Sequence, residues 1–250
     1  LMDVGHGLAV VIERHGKAIL YDTGASYPSG FNMAEAVILP YLQYQGIAAL
    51  DKLFISHGDN DHAGGLTKLT DNMPVETLVG NGLFPRESIG CRRGEQMIWQ
   101  GLTLRVLWPP KAAVEEGRDK RQRNDDSCVI QISDGVNRLL LTGDISHKVE
   151  GVLQRQASIK SHVLIAPHHG SKTSSSRGFI GAVAPNMALF STGHLNRWKM
   201  PNTDVLKRYQ DAHINTLNTA EAGMIRVRFS RDNIRVEGYR LDIWPFWFAN

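Results

Sequence analysis

The 250-residue chain has few cysteines, and it lacks long apolar runs and low-complexity tracts. Two cysteines, Cys91 and Cys128, are too few for a thiolate metal cluster; they are either free and buried or joined in one disulfide. No apolar run approaches the ~20 residues that span a bilayer. With 42% hydrophobic and 21% charged residues, the composition argues against disorder and allows one substantial core or two small ones. We expect a single domain over residues 1–250.

The charge balance is mildly basic, with a net charge of +3. This value is compatible with a polyanionic substrate but does not indicate one without further signals. The run from Arg118 to Arg123 is locally basic. It is either a solvated loop or a phosphate contact, with Arg121 and Arg123 as the candidate side chains. Because the chain starts at Leu1 rather than at methionine, we expect it to be a piece of a longer protein.

Short predicted strands alternate with predicted helices along the chain. Apolar patterns predict a hairpin at 8–13 and 17–21 with its turn at His15-Gly16, and a terminal hairpin within 224–239. Other strands are predicted at 53–55, 77–79, 102–107, 128–132, 139–142, 163–165, 187–191 and 214–217. Helices are predicted at 33–44, 63–69, 146–155, 176–184 and 203–212, and the aromatic tail at 244–248 is expected to pack on the body or on upstream parts. The pattern predicts an α/β (α+β) fold of two mixed sheets with helices outside.

Side chains that can bind metal follow predicted strands at four places. These are Tyr21-Asp22-Thr23-Gly24, the segment from His57 to His62, Thr142-Gly143-Asp144, and Pro167-His168-His169-Gly170. A strand end is rigid, and the loops that leave several strands can converge on one point, which active sites favour. We therefore expect one site built from these loops.

The segment Ser56-His57-Gly58-Asp59-Asn60-Asp61-His62 carries the strongest signal. On a tight loop, alternate residues point to different sides. His57 and Asp59 can therefore serve one metal ion, while Asp61 and His62 serve a second. Burying so many carboxylates and imidazoles without metal is unfavourable, because like charges repel and desolvation is costly. The alternative, an acidic surface turn with incidental histidines, fits poorly with the apolar residues before it and the glycines after it.

In this order, the motifs resemble the metallo-β-lactamase superfamily. The match comprises Asp22-Thr23-Gly24, the Ser-His-x-Asp-x-Asp-His-x-Gly-Gly motif from Ser56, the Thr-Gly-Asp motif ending at Asp144, and Pro-His-His-Gly-Ser from Pro167. Further matches make the chain more similar to the C-terminal metallo-β-lactamase-like domain of the ComEC family of DNA-uptake competence proteins. These are Asp3-Val4-Gly5-His6-Gly7, Asn124-Asp125-Asp126-Ser127-Cys128, Ser191-Thr192-Gly193 and Asn196-Arg197-Trp198. The resemblance implies an αββα sandwich.

By position, the resemblance implies two metal sites. His57 and Asp59 would hold one ion, Asp61 and His62 the other, and Asp144 would bridge the two. The superfamily usually has histidine where this chain has Asp59. The carboxylate shifts the donor set towards oxygen, which suits harder ions. We therefore expect two divalent ions, with manganese first and zinc or magnesium as other occupants, and no organic cofactor.

The resemblance leaves other roles open. One histidine of the His168-His169 pair would be a ligand, and the other would face the substrate as an acid or phosphate contact. Asn124 or Asp125 stands where the superfamily usually has a histidine ligand, and either could offer an oxygen. Asp22 would support the metal loop through hydrogen bonds.

Several residues are candidates for contact with substrate. Lys172 is either a phosphate contact or a solvated turn residue, and Asn196 is a candidate contact. Trp198 either stacks on a base or packs within its loop. Many family members carry histidine where this chain has Met200, so that contact or proton donor is missing here.

A phosphodiesterase reaction fits this set of residues, since a two-metal site can activate water and stabilise charge on phosphoryl oxygens. Asp61, His168 and His169 are the predicted catalytic residues. The resemblance implies a nuclease that degrades the non-transported DNA strand during uptake. It also implies a parent protein in the inner membrane, with channel and OB-fold domains upstream and this domain on the periplasmic face. DNA is the expected partner, with single strands ahead of double strands. The alternatives are hydrolysis of a small phosphodiester or lactone, and DNA guidance by a vestigial site.

Overall fold

Two β-sheets packed face to face form the centre of the fold. A computed structural model describes residues 1–81, 84, 87–111, 124–155 and 158–243. The first sheet has the order β1-β2-β3-β4, comprising Val10–Arg14, Lys17–Tyr21, Leu50–Phe54 and Val75–Val79. β1 and β2 are antiparallel, and the other neighbours are parallel. The predicted turn is confirmed: His15 and Gly16 have φ of 52° and 73°, which suits a two-residue hairpin.

The second sheet is longer and also mixed. Its seven strands have the order β11-β10-β9-β8-β7-β6-β5. They are β5 (Gln96–Trp99), β6 (Leu102–Trp108), β7 (Val129–Ser133), β8 (Arg138–Leu141), β9 (Val163–Ile165), β10 (Met187–Phe190) and β11 (Asn215–Asn218). Neighbours from β5 to β8 are antiparallel, and those from β8 to β11 are parallel. A separate hairpin joins β12 (Ile225–Phe229) to β13 (Ile234–Gly238).

Short helices lie in the outer layers and at the site. They are α1 (Leu39–Tyr44), α2 (Asn60–Ala63), α3 (Leu66–Asn72), α4 (His147–Leu153), α5 (Arg177–Val183), α6 (Thr203–Asp211) and α7 (Thr219–Ala222). π-helical turns occur at Ala34–Ile38 and Tyr239–Ile243, and tight helical turns at Asn124–Asp126 and Pro167–Gly170. Within the described ranges, no helix has the length and apolar character needed to span a bilayer.

Strand alternation builds the layers. On β2, Ile19 and Tyr21 pack into the core between the sheets, while Leu20 packs outward against α1 and α3. On β9, Val163 and Ile165 likewise point inward, and Leu164 packs among residues of α4, α5 and α6. Burial of each such side chain contributes about 1.5–3 kcal/mol. The result is the predicted αββα sandwich of two mixed sheets.

Some element boundaries differ from those predicted. The helix predicted at 33–44 starts with the π-helical turn Ala34–Ile38, and Pro40 falls in the first turn of α1, where proline is tolerated. The helix predicted at 63–69 is two helices, α2 and α3, separated by glycines. Strand β5 was not predicted; it is an edge strand that carries the exposed Ile98 and is defined by its pairing with β6. The run containing Arg121 and Arg123 and the tail at 244–248 lie outside the described residues.

The two cysteines form a disulfide between Cys91 and Cys128, whose Cα atoms are 5.9 Å apart. Both residues are buried in the core between the sheets. This decides between the two alternatives left by the sequence. The bond ties the start of β7 to a segment 37 residues earlier in the chain.

Candidate metal centre

The four predicted loops converge at one edge of the sandwich. Asp22 follows β2, the segment from Ser56 to His62 follows β3, Asp144 follows β8, and the histidine pair follows β9. Left-handed backbone turns redirect three of these loops, with φ of 61° at Asp22, 53° at Gly143, and 51° and 53° at His168 and His169. Such conformations in non-glycine residues cost about 1–3 kcal/mol each and concentrate at functional sites, held by surrounding contacts.

Gly143 shows how closely the loops approach. A Cβ atom at this position would lie 2.7 Å from Ser127 Oγ and 2.9 Å from Ser56 Cβ. Glycine therefore satisfies both the left-handed φ and the close packing. The next residue is held in place, since the Asp144 backbone N–H donates a 3.0 Å hydrogen bond to Ser127 Oγ.

Four side chains bring their ligand atoms within 4.8 Å of one another: Asp61, His62, Asp144 and His169. His62 Nε2 lies 3.1 Å from Asp144 Oδ1 and 3.9 Å from Asp61 Oδ2. His169 Nε2 lies 3.4 Å from Asp61 Oδ2 and 3.6 Å from Asp144 Oδ2. All but Asp61 are buried. This is the geometry of a candidate cation site.

Hydrogen bonds on the far side of each ring fix the tautomers of the two histidines. His62 Nδ1 donates to Asp22 Oδ2 at 2.8 Å, and His169 Nδ1 donates to the Ser191 carbonyl at 2.8 Å. In its neutral form each ring therefore presents an unprotonated Nε2 atom, and the two Nε2 atoms face each other at 3.2 Å. Two nitrogen lone pairs and two carboxylates repel unless a cation or a shared proton lies among them. The donor set therefore fits a divalent metal ion.

The pKa values of His62 and Asp144 are shifted by the charged side chains of this group. Burial opposes the charged form of His62, but the Asp144 and Asp22 carboxylates outweigh it and hold the pKa of His62 well above its usual value. Burial also opposes charge on Asp144, but His62 and His169 hold the pKa of that carboxyl well below its usual value. The site thus favours ionised carboxylates together with added positive charge. A divalent metal ion would supply such charge.

His57 and Asp59 lie beside this group. His57 Nδ1 lies 3.0 Å from Ser56 Oγ and 3.4 Å from Ser127 Oγ, which leaves Nε2 free. That buried Nε2 atom has no hydrogen-bond partner and lies 3.5 Å from Asp59 Oδ2. Asp59 is about half exposed, with 53% of its side chain accessible. That this pair holds a second ion stays a prediction.

The histidine pair divides into two environments. His169 belongs to the four-residue group, whereas His168 Nε2 lies 3.3 Å from Asn124 Nδ2 and 3.7 Å from Asp144 Oδ2. His168 Nδ1 lies 3.2 Å from Thr173 Oγ1. Burial lowers the pKa of His168 from its usual value, so the ring is neutral near pH 7. His168 therefore lies at the rim of the group, beside the Asp144 carboxylate.

Asn124 and Asp125 separate in the same way. Asn124 reaches His168, as described above, and stays a candidate at the site. Both carboxylate oxygens of Asp125 instead accept from Ser146, from its N–H at 2.8 Å and its hydroxyl at 3.0 Å. Asp125 thus holds the start of α4, and its predicted role as a metal ligand is not supported by this geometry. The pattern could not show this, because the distant Ser146 is the residue that orients the side chain.

Asp22 is the buried support of the centre. Its Oδ1 accepts from the Ser56 N–H at 2.6 Å, and its Oδ2 accepts from Ser56 Oγ at 2.7 Å and from His62. Three donors therefore converge on one carboxylate that is fully buried. This placement matches the supporting role predicted for Asp22.

Replacing Asp22→Asn should weaken metal binding by roughly 10- to 100-fold, the usual effect of losing a partner behind a ligating histidine. The amide would present a donor to Ser56 or His62, which already donate. Titration against a chromogenic chelator measures the change. Asp51→Asn is the matched control, because buried Asp51 accepts from Trp99 at the other end of β3. Equal metal affinity in the Asp22 variant and the wild type would contradict this role.

The predicted substrate contacts lie in different settings. Lys172 has an exposed side chain, and its carbonyl accepts from His147 Nε2 at 3.0 Å. Asn196 uses its amide to close its own loop: Nδ2 donates to the carbonyls of Gly193 and Met200, and Oδ1 accepts from the Met200 N–H. Contact between either residue and substrate stays a prediction. Arg121 and Arg123 lie outside the described residues.

Sequence reasoning missed three serines at the centre. Ser56 connects Asp22 to His57, Ser127 supports Asp144, and the Ser191 carbonyl orients His169. Each directly follows a buried apolar stretch or lies in a matched motif. That position was the one feature of the sequence that could have indicated a role at the site. Only contacts between distant segments give these serines their roles.

The fold and the site define a metallo-β-lactamase-type protein. Residues 2–85 match the family model described as the metallo-beta-lactamase superfamily. The solved structure of Igni18, a metallo hydrolase from Ignicoccus hospitalis, has the same fold, with a TM-score of 0.55 and 14% identity over 94% of this chain and 97% of that one. The likeness to Igni18 concerns the fold alone.

Similarity to curated proteins is closer and covers nearly the whole chain. Recombination protein 2 of Haemophilus influenzae is 41% identical over 99% of this chain and 31% of its own length. Competence protein ComA of Neisseria gonorrhoeae is 32% identical over 98% of this chain and 34% of its own. The chain is thus a homologue of ComEC-type competence proteins and corresponds to their metallo-β-lactamase-like domain. It spans about a third of the length of these relatives.

Proposed function

We propose that the chain is a metal-dependent phosphodiesterase that cuts DNA during uptake. The observation that carries this proposal is the convergence of the His62 and His169 Nε2 atoms, 3.2 Å apart, with the carboxylates of Asp61 and Asp144. The names of the relatives support the context of competence. The specific reaction and substrate rest on the chemistry of the site.

In this proposal, Asp61, His62, Asp144 and His169 would hold one ion, and His57, Asp59 and Asp144 would hold the other. Divalent ions bound there would stabilise charge on a phosphoryl oxygen and lower the pKa of water. Since three carboxylates contribute oxygen donors, manganese is the proposed occupant, ahead of zinc and magnesium. The preference for manganese rests on the charge and the chemical type of these ligands.

Three residues have proposed catalytic roles. Asp61 lies 3.4 Å from His169 and is partly exposed, so it can position an attacking water at the open side of the group. His169 holds its ligating tautomer through Ser191. His168 lies at the rim, where its ring can contact the leaving oxygen. A phosphate beside His168 would raise the pKa of that ring and favour its protonated form.

The chain is proposed to be one domain of a longer inner-membrane protein, exposed on the periplasmic face. Its partners would be the incoming single strand, a transmembrane channel and an OB-fold domain. The relatives extend well beyond the region this chain matches, so their length leaves room for such parts. The Cys91–Cys128 disulfide suits an oxidising compartment.

The test is cleavage of labelled single- and double-stranded DNA by pure protein with manganese. We expect single strands to be cut faster, and Asp61→Ala to abolish cutting. No cleavage above the Asp61→Ala level would overturn the nuclease proposal for the isolated domain. Hydrolysis of a small chromogenic phosphodiester or a lactone without DNA cleavage would favour the small-substrate alternative. DNA binding in chelator without any hydrolysis would favour a guiding module.

A further inference from the structure

A basic and aromatic loop borders the candidate metal centre. Residues 194–199 connect β10 to α6, and we call this segment the 194–199 loop. Its basic side chains His194, Arg197 and Lys199 are exposed. Leu195 and Trp198 are also exposed, at 89% and 49%, which is unusual for large apolar side chains in one short loop. Among the described residues, neither Arg197 nor Lys199 forms a salt bridge.

Ring stacking links this loop to the centre. The His6 ring lies 4.7 Å from the ring of the candidate ligand His169. Trp198 stacks on His6, with ring centroids 4.1 Å apart and planes inclined by 18°. Arg197 Cζ lies 4.3 Å from the Trp198 ring centroid. His6 and Arg197 must occupy opposite faces of the indole, since both cannot lie so close on one face.

These contacts form a column that runs from the metal centre to the surface. It starts at His169, passes through His6 and Trp198, and ends in the planar guanidinium of Arg197. Stacking on tryptophan holds a guanidinium flat while leaving its outer face and its N–H groups free. The Arg197 guanidinium can therefore contact a planar ring or a phosphate close to the candidate metal centre.

The loop is also held rigidly. The Asn196 amide bonds to Gly193 and Met200 close it internally. Beyond the loop, the N–H of Asn202, the residue before α6, donates to the Gly170 carbonyl at 2.9 Å, next to the candidate ligand His169. At its start, a Cβ on Gly193 would lie 2.9 Å from the His6 backbone nitrogen. A rigid binding surface loses little conformational entropy when it binds.

We propose that the 194–199 loop binds the nucleotide next to the scissile phosphate of a single-stranded polynucleotide. Arg197 and Lys199 contact backbone phosphates, and the Arg197–Trp198 layer stacks against an unpaired base. Exposed cations beside stacked aromatics are the features that bind single strands without sequence preference. A duplex would keep its bases from this surface. The inference rests on the proposed function, and it assigns the preference for single-stranded over double-stranded DNA to this loop.

The test is the affinity of the full chain for a fluorescein-labelled oligodeoxythymidylate of about a dozen nucleotides, measured by anisotropy in chelator. An abasic oligonucleotide of equal length is the second probe. We expect Trp198→Ala to weaken binding to the thymidylate about tenfold, and to remove the preference of the wild type for thymidylate over the abasic strand. Arg197→Ala should weaken binding to both probes and flatten the salt dependence by about one phosphate contact.

Two variants serve as controls. Lys160→Ala removes one exposed positive charge from the segment before β9, at the end of that strand opposite the site, and should change affinity less than twofold. Arg197→Lys keeps the charge but not the planar group, so it should restore abasic binding more than thymidylate binding. Thermal melting confirms that each variant is folded.

Weak binding by the wild type, or losses in the loop variants no larger than in Lys160→Ala, would overturn this inference. Loop-dependent binding by a wild type that cuts no DNA would support the inference and reject the nuclease proposal. DNA cleavage by a wild type whose binding does not depend on the loop would support the nuclease proposal and reject the inference about the loop.

Discussion

Asp144→Asn should lower the rate of phosphodiester hydrolysis by at least about a thousandfold, while the protein stays folded. Asp144 lies at the centre of the four-residue group, with Oδ1 3.1 Å from His62 Nε2 and Oδ2 3.6 Å from His169 Nε2. Neutralising it removes charge from the centre, and loss of several kcal/mol of stabilisation corresponds to this factor. Bound manganese should fall in parallel, which elemental analysis measures.

Asp71→Asn is the matched control for this prediction. Asp71 is an exposed aspartate in α3, and the same substitution there should leave metal content and rate within about twofold of the wild type. The Asp144 variant should also bring the pKa of His62 down, because the Asp144 carboxylate is the largest of the groups that raise it. An Asp144 variant with full metal content and full activity would show that the centre lies elsewhere.

Reduction of the Cys91–Cys128 disulfide should lower the free energy of unfolding by about 4 kcal/mol, for a bond that closes a separation of 37 residues. In the chain-entropy account, the bond restricts the unfolded chain. In a domain of this size, the loss corresponds to a fall in Tm of about 10 °C. Thermal unfolding with and without reductant measures it.

The double variant Cys91→Ala/Cys128→Ala supplies the control, since reductant should not shift its Tm. Reduction should also weaken metal binding, because Cys128 follows Ser127, and the Cys128 N–H donates to the Ser56 carbonyl at 2.9 Å. An unchanged Tm on complete reduction, verified by thiol titration, would contradict this account of the bond.

The local pattern predicted most of the fold. The hairpin at His15-Gly16 was found because turn residues and strand alternation lie next to each other in sequence. The alternation of strands and helices predicted two mixed sheets with helices outside, and the family resemblance implied the αββα sandwich. Strand β5 and the division of residues 60–72 into two helices were missed. They depend on pairing with β6 and on glycines packed against distant residues, such as Gly65 against the Thr23 carbonyl.

The candidate site shows the same division. The density of His57, Asp59, Asp61 and His62 predicted a metal centre, because ligand type and strand-end position can be read locally. The choice of His169 over His168 for the buried group could not be predicted, since both follow β9 in left-handed turns. Ser191, the residue after β10, orients the His169 ring. Asn124 and Thr173 contact the His168 ring.

The sequence thus determined which side chains are available and where each strand delivers them: carboxylates and imidazoles at the ends of β2, β3, β8 and β9. Tertiary structure decided what they do. Asp125 supports α4 because Ser146 lies beside it, the cysteines are bonded because two sheets bring them together, and Trp198 joins the centre through His6. The physical reason is that side-chain direction and tautomer depend on partners far away in the chain, which no local spacing encodes.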